Sequence, residues 1–308
     1  VNMKRNGLKA VLTKIITGVL LVIILLCGGI IGFRVYFMIK DKVNKDETKE
    51  IRKSIEAELE TEDDTEDDTE GETNKKKRKK TLSEIESHVS DLSDKGKEIS
   101  RKLLEELRDK YSNNDIVGYL VLDGQDIEYP ILQGDTNDSY IKTSPYGGYD
   151  YNGSIFLDAD NTSDFFDSRS VVYGHNMRNG SMFGSLRNIY ESNIDDKYFT
   201  VYSESGVLKY KLLSSELVYA YGENYMVFPA KEMYKDILNS GKTILDARDS
   251  DVEQVEMASF YEKLKSSSLS WCDDTDYDEN SIILSLMTCY ADGGTYRFAI
   301  SGVLQLYS

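Results

Sequence analysis

The apolar and polar positions along the chain first separate a membrane-like segment from the rest. Residues 15–33 are uncharged and almost entirely apolar. As a helix this stretch would rise about 28 Å, close to the roughly 30 Å thickness of a bilayer core. It has no polar face, which argues against a buried helix of a soluble domain. We therefore predict a transmembrane helix; the alternative, a cleaved signal peptide, lacks the small-residue cleavage site that should follow it.

The charges in front of this segment predict its orientation. Four basic residues and no acidic residue precede it. A short positive N-terminus before a first apolar segment favours the cytoplasmic side of the membrane. We therefore expect residues 1–14 inside the cell and the large C-terminal part outside the cytoplasm, in a single-pass protein of the cell membrane.

The next stretch, residues 34–80, has a low-complexity, highly charged composition. Residues 56–72 contain 11 acidic residues and no basic one, and residues 75–80 read KKKRKK. Such blocks do not bury a core, so we predict a charged, extended linker. A calcium site in the acidic run is the alternative, but the run lacks the glycine and the spacing of a calcium loop. For the basic run we predict a solvated tether, and contact with anionic lipid or wall polymer is the alternative.

Helical spacing of apolar residues begins at residue 81, and strand-like runs begin at residue 116, within a predicted barrel domain of residues 113–308. Thr81–Glu84 has the form of a capping box, and we predict N-terminal helices over residues 81–112 with a break at Gly96. Short apolar runs bounded by turn residues then predict strands at 116–122, 127–132, 153–158, 170–175, 199–203, 207–221, 281–289 and 295–307. Two helical stretches, 230–240 and 251–268, interrupt them. Many short strands with few helices predict a mostly-β fold, a closed barrel or a sandwich.

Composition narrows the possible functions. The net charge of −17 repels phosphate backbones, so no nucleic-acid partner is expected. The three cysteines, Cys27, Cys272 and Cys289, form neither a disulfide framework nor a zinc-binding pattern. The cysteines therefore predict no zinc site. The chain has two histidines, His88 and His175, so any chemistry that needs an imidazole must use one of them.

Three of these residues form a candidate catalytic set. Cys289 ends a predicted strand, and if the strands on either side of the following turn pair, Arg297 lies beside its thiol. A nearby cation lowers the pKa of a thiol and stabilises negative charge on an attacked carbonyl. His175 ends another strand, and cysteine with histidine is a common pairing of nucleophile and base. Taken singly, each has a simpler explanation: a buried cysteine, a surface arginine and a surface histidine.

Together these residues and the sequence around them resemble the sortase family, and most of all its class B members. The blocks that carry the resemblance are GSIFLD at 153–158, SVVYGHNM at 170–177, MFGSL at 182–186, SLMTC at 285–289 and TYRFAISG at 295–302. The long insertion at about 222–280, before the cysteine strand, points to class B. The likeness covers roughly residues 95–308.

The resemblance implies both a fold and an activity. The expected fold is a closed sortase-type β-barrel of about eight strands over residues 113–308, with N-terminal helices and a helical insertion before the cysteine strand. The expected activity is that of a membrane-anchored cysteine transpeptidase, which cleaves a C-terminal sorting motif of secreted proteins and joins them to a peptidoglycan amine. Cys289 would be the nucleophile, His175 the proton-transfer partner and Arg297 the cation at the oxyanion, and the reaction would need no metal and no organic cofactor.

Four further positions are candidates for substrate binding: Ser285, which stands where the family signature usually has threonine, and Thr288, Asn176 and Tyr290. A pilin-polymerising sortase that uses a lysine amine remains an alternative. A non-catalytic barrel that binds cell-wall or peptide ligands is another. A redox role for Cys272 with Cys289 is a third, although their separation is unlike a redox motif.

Overall fold

The computed structural model describes residues 2–61, 89–122, 124–190, 197–219, 251–273, 275–278, 281–289 and 296–306. Its helices are α1 (Asn2–Thr61), α2 (Asp94–Tyr111), α3 (Arg187–Tyr190) and α4 (Asp251–Ser267). Its strands are β1 (Ile116–Leu122), β2 (Ile127–Leu132), β3 (Ile155–Leu157), β4 (Arg169–Gly174), β5 (Tyr198–Ser203), β6 (Gly206–Tyr219), β7 (Ser268–Trp271), β8 (Ile283–Cys289) and β9 (Tyr296–Leu304).

Eight of these strands close into a barrel. They follow the order β5-β1-β2-β3-β4-β8-β9-β6, and the pairing of β5 with β6 completes the ring. Strand β7 adds to β6 beyond the ring. The pairs β2–β3 and β4–β8 are parallel, and the other pairs are antiparallel. The closed barrel of about eight strands that the family resemblance implies is therefore confirmed, and the sandwich that the strand pattern left open is excluded.

Alternation along each strand separates the inside of the barrel from its outer face. In β8, Leu284 and Leu286 belong to the main apolar core, which fills the barrel. Ile283 and Met287 belong to two other clusters, which lie on the outer face. Successive side chains of a strand point to opposite faces, so this assignment follows from the two-residue period. The same alternation orders β4, β9 and β6.

The chain forms two compact units, residues 1–47 and 48–308. The first unit belongs to helix α1, which contains a stretch long and apolar enough to cross a membrane. The apolar side chains of that stretch are exposed, as expected for a helix that would be covered by lipid. A single N-terminal apolar helix therefore fits the predicted membrane anchor.

In the second unit, the end of α1 packs on the barrel. Ile55 is buried, and Arg52 forms ion pairs with Glu56 at 2.8 Å and with Glu128 of β2 at 3.0 Å. Residues 34–61 are thus helical, which differs from the extended linker predicted from composition. The reason is that this part also carries apolar residues at helical spacing, Ile51 and Ile55, which the charge count hides. Residues 62–80 lie outside the described residues.

Helix α2, Asp94–Tyr111, corresponds to the second half of the predicted helical region of residues 81–112. Ser93 is its N-cap and its hydroxyl accepts a hydrogen bond from the amide of Gly96. Gly96 lies in the first turn rather than at a break, and a Cβ there would come within 2.3 Å of the carbonyl oxygen of Asp91. The predicted capping box at residues 81–84 and the predicted helix at 230–240 lie outside the described residues.

Candidate active site

Two of the three catalytic candidates occupy facing positions on neighbouring strands. Strands β8 and β9 are antiparallel, and their register places Cys289 opposite Arg297. Facing residues of an antiparallel pair have Cα atoms about 4.5–5.5 Å apart. On its other side β9 pairs with β6, where Val218 lies opposite Arg297. The half-buried Arg297 therefore lies between the cysteine position and the end of β6.

The third candidate reaches the same level from the other side of β8. Strands β4 and β8 are parallel, with Gly174 beside Thr288. His175 follows Gly174 directly and Cys289 follows Thr288 directly, and neighbouring strands lie about 4.8 Å apart. Three strands that are far apart in sequence thus bring His175, Cys289 and Arg297 to one end of the sheet.

The imidazole of His175 is oriented by a loop from another part of the chain. It is half-buried, and its Nε2 atom lies 2.7 Å from the carbonyl oxygen of Ile141. Because a carbonyl oxygen can only accept, Nε2 carries the proton of this hydrogen bond. In the neutral ring Nδ1 is then the basic nitrogen, free of its proton and able to take one up.

The loop that supplies this carbonyl, residues 133–154, is itself fixed by partly buried hydrogen bonds. The hydroxyl of Tyr140 donates to the carboxylate of Asp115 at 2.6 Å, and the side chain of Asn113 donates to the Pro145 carbonyl at 2.8 Å. Burial and, second, the hydrogen bond with Asp115 raise the pKa of Tyr140 to about 12, so its hydroxyl keeps its proton and remains a donor. The position of the Ile141 carbonyl is thereby set by contacts outside the barrel strands.

The backbone of His175 is held as well. Its carbonyl oxygen accepts hydrogen bonds from the amides of Met177 and Phe183, at 3.1 and 3.0 Å. The loop after β4 therefore folds back on its own start. Asn176, a predicted substrate-binding residue, lies half-buried in this loop and forms an isolated bridge with Met182.

Two other predicted substrate-binding residues lie away from the surface. Thr288 is 2% exposed and pairs in register with Phe298, a residue of the barrel core. Ser285 is fully buried, and its hydroxyl lies 3.1 Å from Nε of Arg169 and 2.8 Å from the hydroxyl of Ser301. The structure therefore gives both hydroxyls a buried environment rather than a place in an open groove. Tyr290 lies outside the described residues.

Sequence reasoning missed the Ile141 carbonyl, and no pattern could have revealed it. Every residue type has a carbonyl, so a main-chain acceptor leaves no sign in the sequence. It also missed Arg169 and Glu216, two fully or almost fully buried charged residues. Here a signal exists, because Arg169 directly precedes the run SVVY of β4 and Glu216 stands between Ser215 and Leu217 in the second half of β6. In the part of the chain that the structure describes, no group of His, Cys, Asp and Glu has the arrangement of a metal site.

Comparison with known proteins identifies relatives of one kind. Over 115 residues, 37% of the chain, the sequence is 37% identical to sortase B of Listeria monocytogenes, of which 47% is covered. Over 100 residues it is 31% identical to sortase B of Staphylococcus aureus, with 32% of this chain and 41% of that protein covered. The solved structure of Clostridium perfringens sortase B aligns with a TM-score of 0.51 and 27% identity, over 65% of this chain and 98% of that chain.

The sequence alignments and the structural alignment cover different shares of the related proteins. The chain spans less than half the length of the two curated relatives in these alignments. No family model matches it. The structural match, by contrast, covers nearly the whole of the solved clostridial chain and includes the barrel described above.

Proposed function

Because the chain belongs to the sortase family and is most similar to its class B members, we propose that it is a cysteine transpeptidase anchored in the cell membrane. It cleaves a C-terminal sorting motif of secreted proteins and joins them to a peptidoglycan amine. The observation that carries the proposal is the register of β4, β8 and β9, which aligns the positions of His175, Cys289 and Arg297.

In the first step the thiolate of Cys289 attacks a carbonyl carbon of the sorting motif. Negative charge develops on the carbonyl oxygen, and Arg297 stabilises it or holds the peptide in place. The carbon–nitrogen bond then breaks, His175 gives a proton to the leaving amine, and a thioester remains on Cys289. Nε2 is occupied by its contact with the Ile141 carbonyl, so Nδ1 is the nitrogen that carries the proton given to the leaving amine in this step and that takes one up in the next.

In the second step an amine attacks the thioester. His175 takes a proton from this amine, the new amide bond forms, and the thiolate of Cys289 leaves. No metal or organic cofactor takes part in either step.

Of the predicted substrate contacts, Asn176 remains in the proposal because it lies half-buried in the loop beside His175. The buried Thr288 and Ser285 support the strands, and Tyr290 stays a prediction.

The membrane location supports this task. The apolar stretch of α1 serves as the anchor, and the basic residues that precede it favour an N-terminus inside the cell. The barrel then lies outside the cytoplasm, where both exported proteins and lipid-linked wall precursors are present. Protease protection of intact cells tests this orientation, since the barrel should be digested from outside and residues 1–14 should not.

The proposal is tested with the full-length protein in detergent and a panel of fluorogenic sorting peptides. The expected result is cleavage of at least one peptide and its transfer to a wall-peptide amine, both lost in Cys289→Ala. Transfer to a pilin-like lysine peptide in preference to the wall amine would favour a pilin-polymerising enzyme. Retention of activity by Cys289→Ala would refute the cysteine mechanism. Absence of turnover by the wild type on every peptide would favour a non-catalytic barrel that binds peptides.

A further inference from the structure

A buried ion pair lies on the outer face of the barrel, on the strands that carry the candidate active site. Arg169 opens β4 and is fully buried, and Glu216 in β6 is 1% exposed. Nη2 of Arg169 lies 3.9 Å from Oε1 of Glu216, beyond ordinary hydrogen-bond distance. The side chain of Arg169 thus extends from β4 across β8 and β9 towards β6.

Small residues make room for this arginine. In the register, Ser285 of β8 lies opposite Ser301 of β9, which lies opposite Ser214 of β6. Nε of Arg169 donates to Ser285 at 3.1 Å, and the Ser285 and Ser301 hydroxyls are 2.8 Å apart. A row of serines therefore gives the guanidinium both space and a hydrogen-bond acceptor.

The ion pair is not explained by stability. Burial lowers the pKa of Arg169, against the charge of Glu216, and burial raises the pKa of Glu216, against the charge of Arg169. For both groups the loss of water outweighs the attraction of the partner. Buried pairs of this kind are often replaced by apolar residues without loss of stability, and their best-supported use is to select one arrangement over others.

The element whose position the ion pair would select is helix α4, which belongs to the insertion between β6 and β7. The guanidinium carbon of Arg169 lies 4.6 Å from the ring centre of Phe260 in α4, within the range of a cation–π contact. Helix α4 also makes apolar contacts with the barrel, in a cluster of Phe260, Tyr261 and Leu264 with Leu213, Ile283 and Val303, and Lys265 lies over the ring of Trp271 in β7. Apolar contacts are non-directional, whereas the contact of Arg169 with Phe260 adds a directional contact between the helix and the barrel.

Both ends of the insertion lie close to the candidate site. The chain leaves β6 after Tyr219, one residue beyond Val218, which faces Arg297. It returns in β7, where Ser268 pairs with Glu216. Glu216 therefore stands at the base of the insertion, two residues along the strand from the neighbour of Arg297.

We propose that Arg169 and Glu216 are positioning residues that hold helix α4 and the base of the insertion against the catalytic strands, and so shape the surface beside Arg297 against which the substrate peptide binds. This rests on the proposed function for its effect on substrate. Cys289 and Arg297 are placed by the main-chain ladder of β8 and β9, so the ion pair acts on substrate binding and not on the chemical step.

The test compares the full-length wild type in detergent with the apolar double variant Arg169→Met/Glu216→Leu. Its matched control is Arg101→Met/Glu105→Leu, which removes an exposed ion pair on α2 (side chains 56% and 57% exposed). The single variants leave one buried charge unpaired and are expected to lower the urea midpoint. The double variant should have a urea midpoint of unfolding equal to that of the wild type or higher.

Hydrogen exchange gives a readout that does not depend on activity. In the double variant, amides of α4 should exchange at least tenfold faster than in wild type, while those of β8 and β9 keep their protection. Unchanged exchange in α4 would overturn the proposal even if the enzyme proves inactive on every peptide. Absence of turnover in the wild type would instead refute the proposed function alone.

Enzyme kinetics test the expected effect on substrate binding. The double variant should raise the KM for the sorting peptide at least fivefold and change kcat less than twofold, and the rate of Cys289 alkylation, followed by mass spectrometry, should stay at the wild-type value. The control variant should match wild type throughout. A fall in kcat at unchanged KM, or faster exchange in α4 with no change in KM, would overturn the proposal.

Discussion

The candidate site combines a part built on strands with a part that depends on a loop. Cys289 and Arg297 face each other within a ladder of seven register pairs between β8 and β9. The imidazole of His175 is oriented instead by one contact with the Ile141 carbonyl, in the loop of residues 133–154. The ladder depends on main-chain hydrogen bonds, which most side-chain changes leave intact, whereas the loop depends on a few specific side chains.

This difference indicates where the site is tolerant and where it is sensitive. A substitution on the strands should affect activity only where it removes a reacting group or a charge. A substitution in the loop can change the orientation of the histidine without touching the substrate. Misplacement of a catalytic group by about 1 Å can lower a rate by roughly 100-fold. Activity should therefore be more sensitive to substitutions in the loop than to most substitutions on the strands.

The largest expected effect is the loss of the imidazole itself. His175→Ala should lower kcat/KM by about 1,000-fold, the usual scale of general acid–base catalysis. The measurement is cleavage of the sorting peptide by the full-length protein. His88→Ala, the other histidine of the chain, is the matched control and should keep full activity. Equal losses in the two variants would show that His175 has no special role.

The second effect tests the part built on strands. Arg297→Ala should lower kcat by about 100-fold, because the charge that faces the developing oxyanion is removed. Arg297→Lys should recover part of this loss, since it restores the charge but not the planar fork of donors. Circular dichroism and the urea midpoint should match wild type in both. If alanine and lysine were equally active, the charge of Arg297 would not contribute to the reaction.

The third effect tests the loop. Tyr140→Phe removes the hydrogen bond to Asp115, which should cost about 1 kcal/mol of stability and, by loosening the Ile141 carbonyl, lower kcat about fivefold. Tyr149→Phe is the control, since Tyr149 lies in the same loop with 66% of its surface exposed. Identical kinetics in Tyr140→Phe and wild type would mean that this anchor does not orient the histidine.

The smallest effect is expected on the inner face of β8. Thr288→Val keeps the shape of the side chain and removes a hydroxyl that is buried at 2% exposure. We expect KM to change less than about threefold, because a residue inside the barrel meets no substrate, with a stability cost of about 1 kcal/mol. A tenfold rise in KM would restore Thr288 as a substrate contact.

Local patterns in the sequence were sufficient for much of the fold. The hairpin of residues 116–122 and 127–132 has the predicted bounds, and helix α4 and strands β8 and β9 lie where their apolar periods indicate. Strand β7 was not predicted, because its sequence SLSW has little strand character of its own and pairs with β6 through the main chain. The docking of Ile55 was hidden in a segment dominated by charge.

By itself the sequence determined the apolar anchor segment, the strands that lead to His175 and Cys289, and the family to which their motifs point. These are properties of short stretches, and the period of apolar residues records them directly. Only the tertiary structure decided that β4 and β8 run parallel at matching levels, that the Ile141 carbonyl meets the imidazole, and that Arg169 reaches across towards Glu216. Such contacts join residues far apart in the chain, and the register that creates them depends on how all the strands close together.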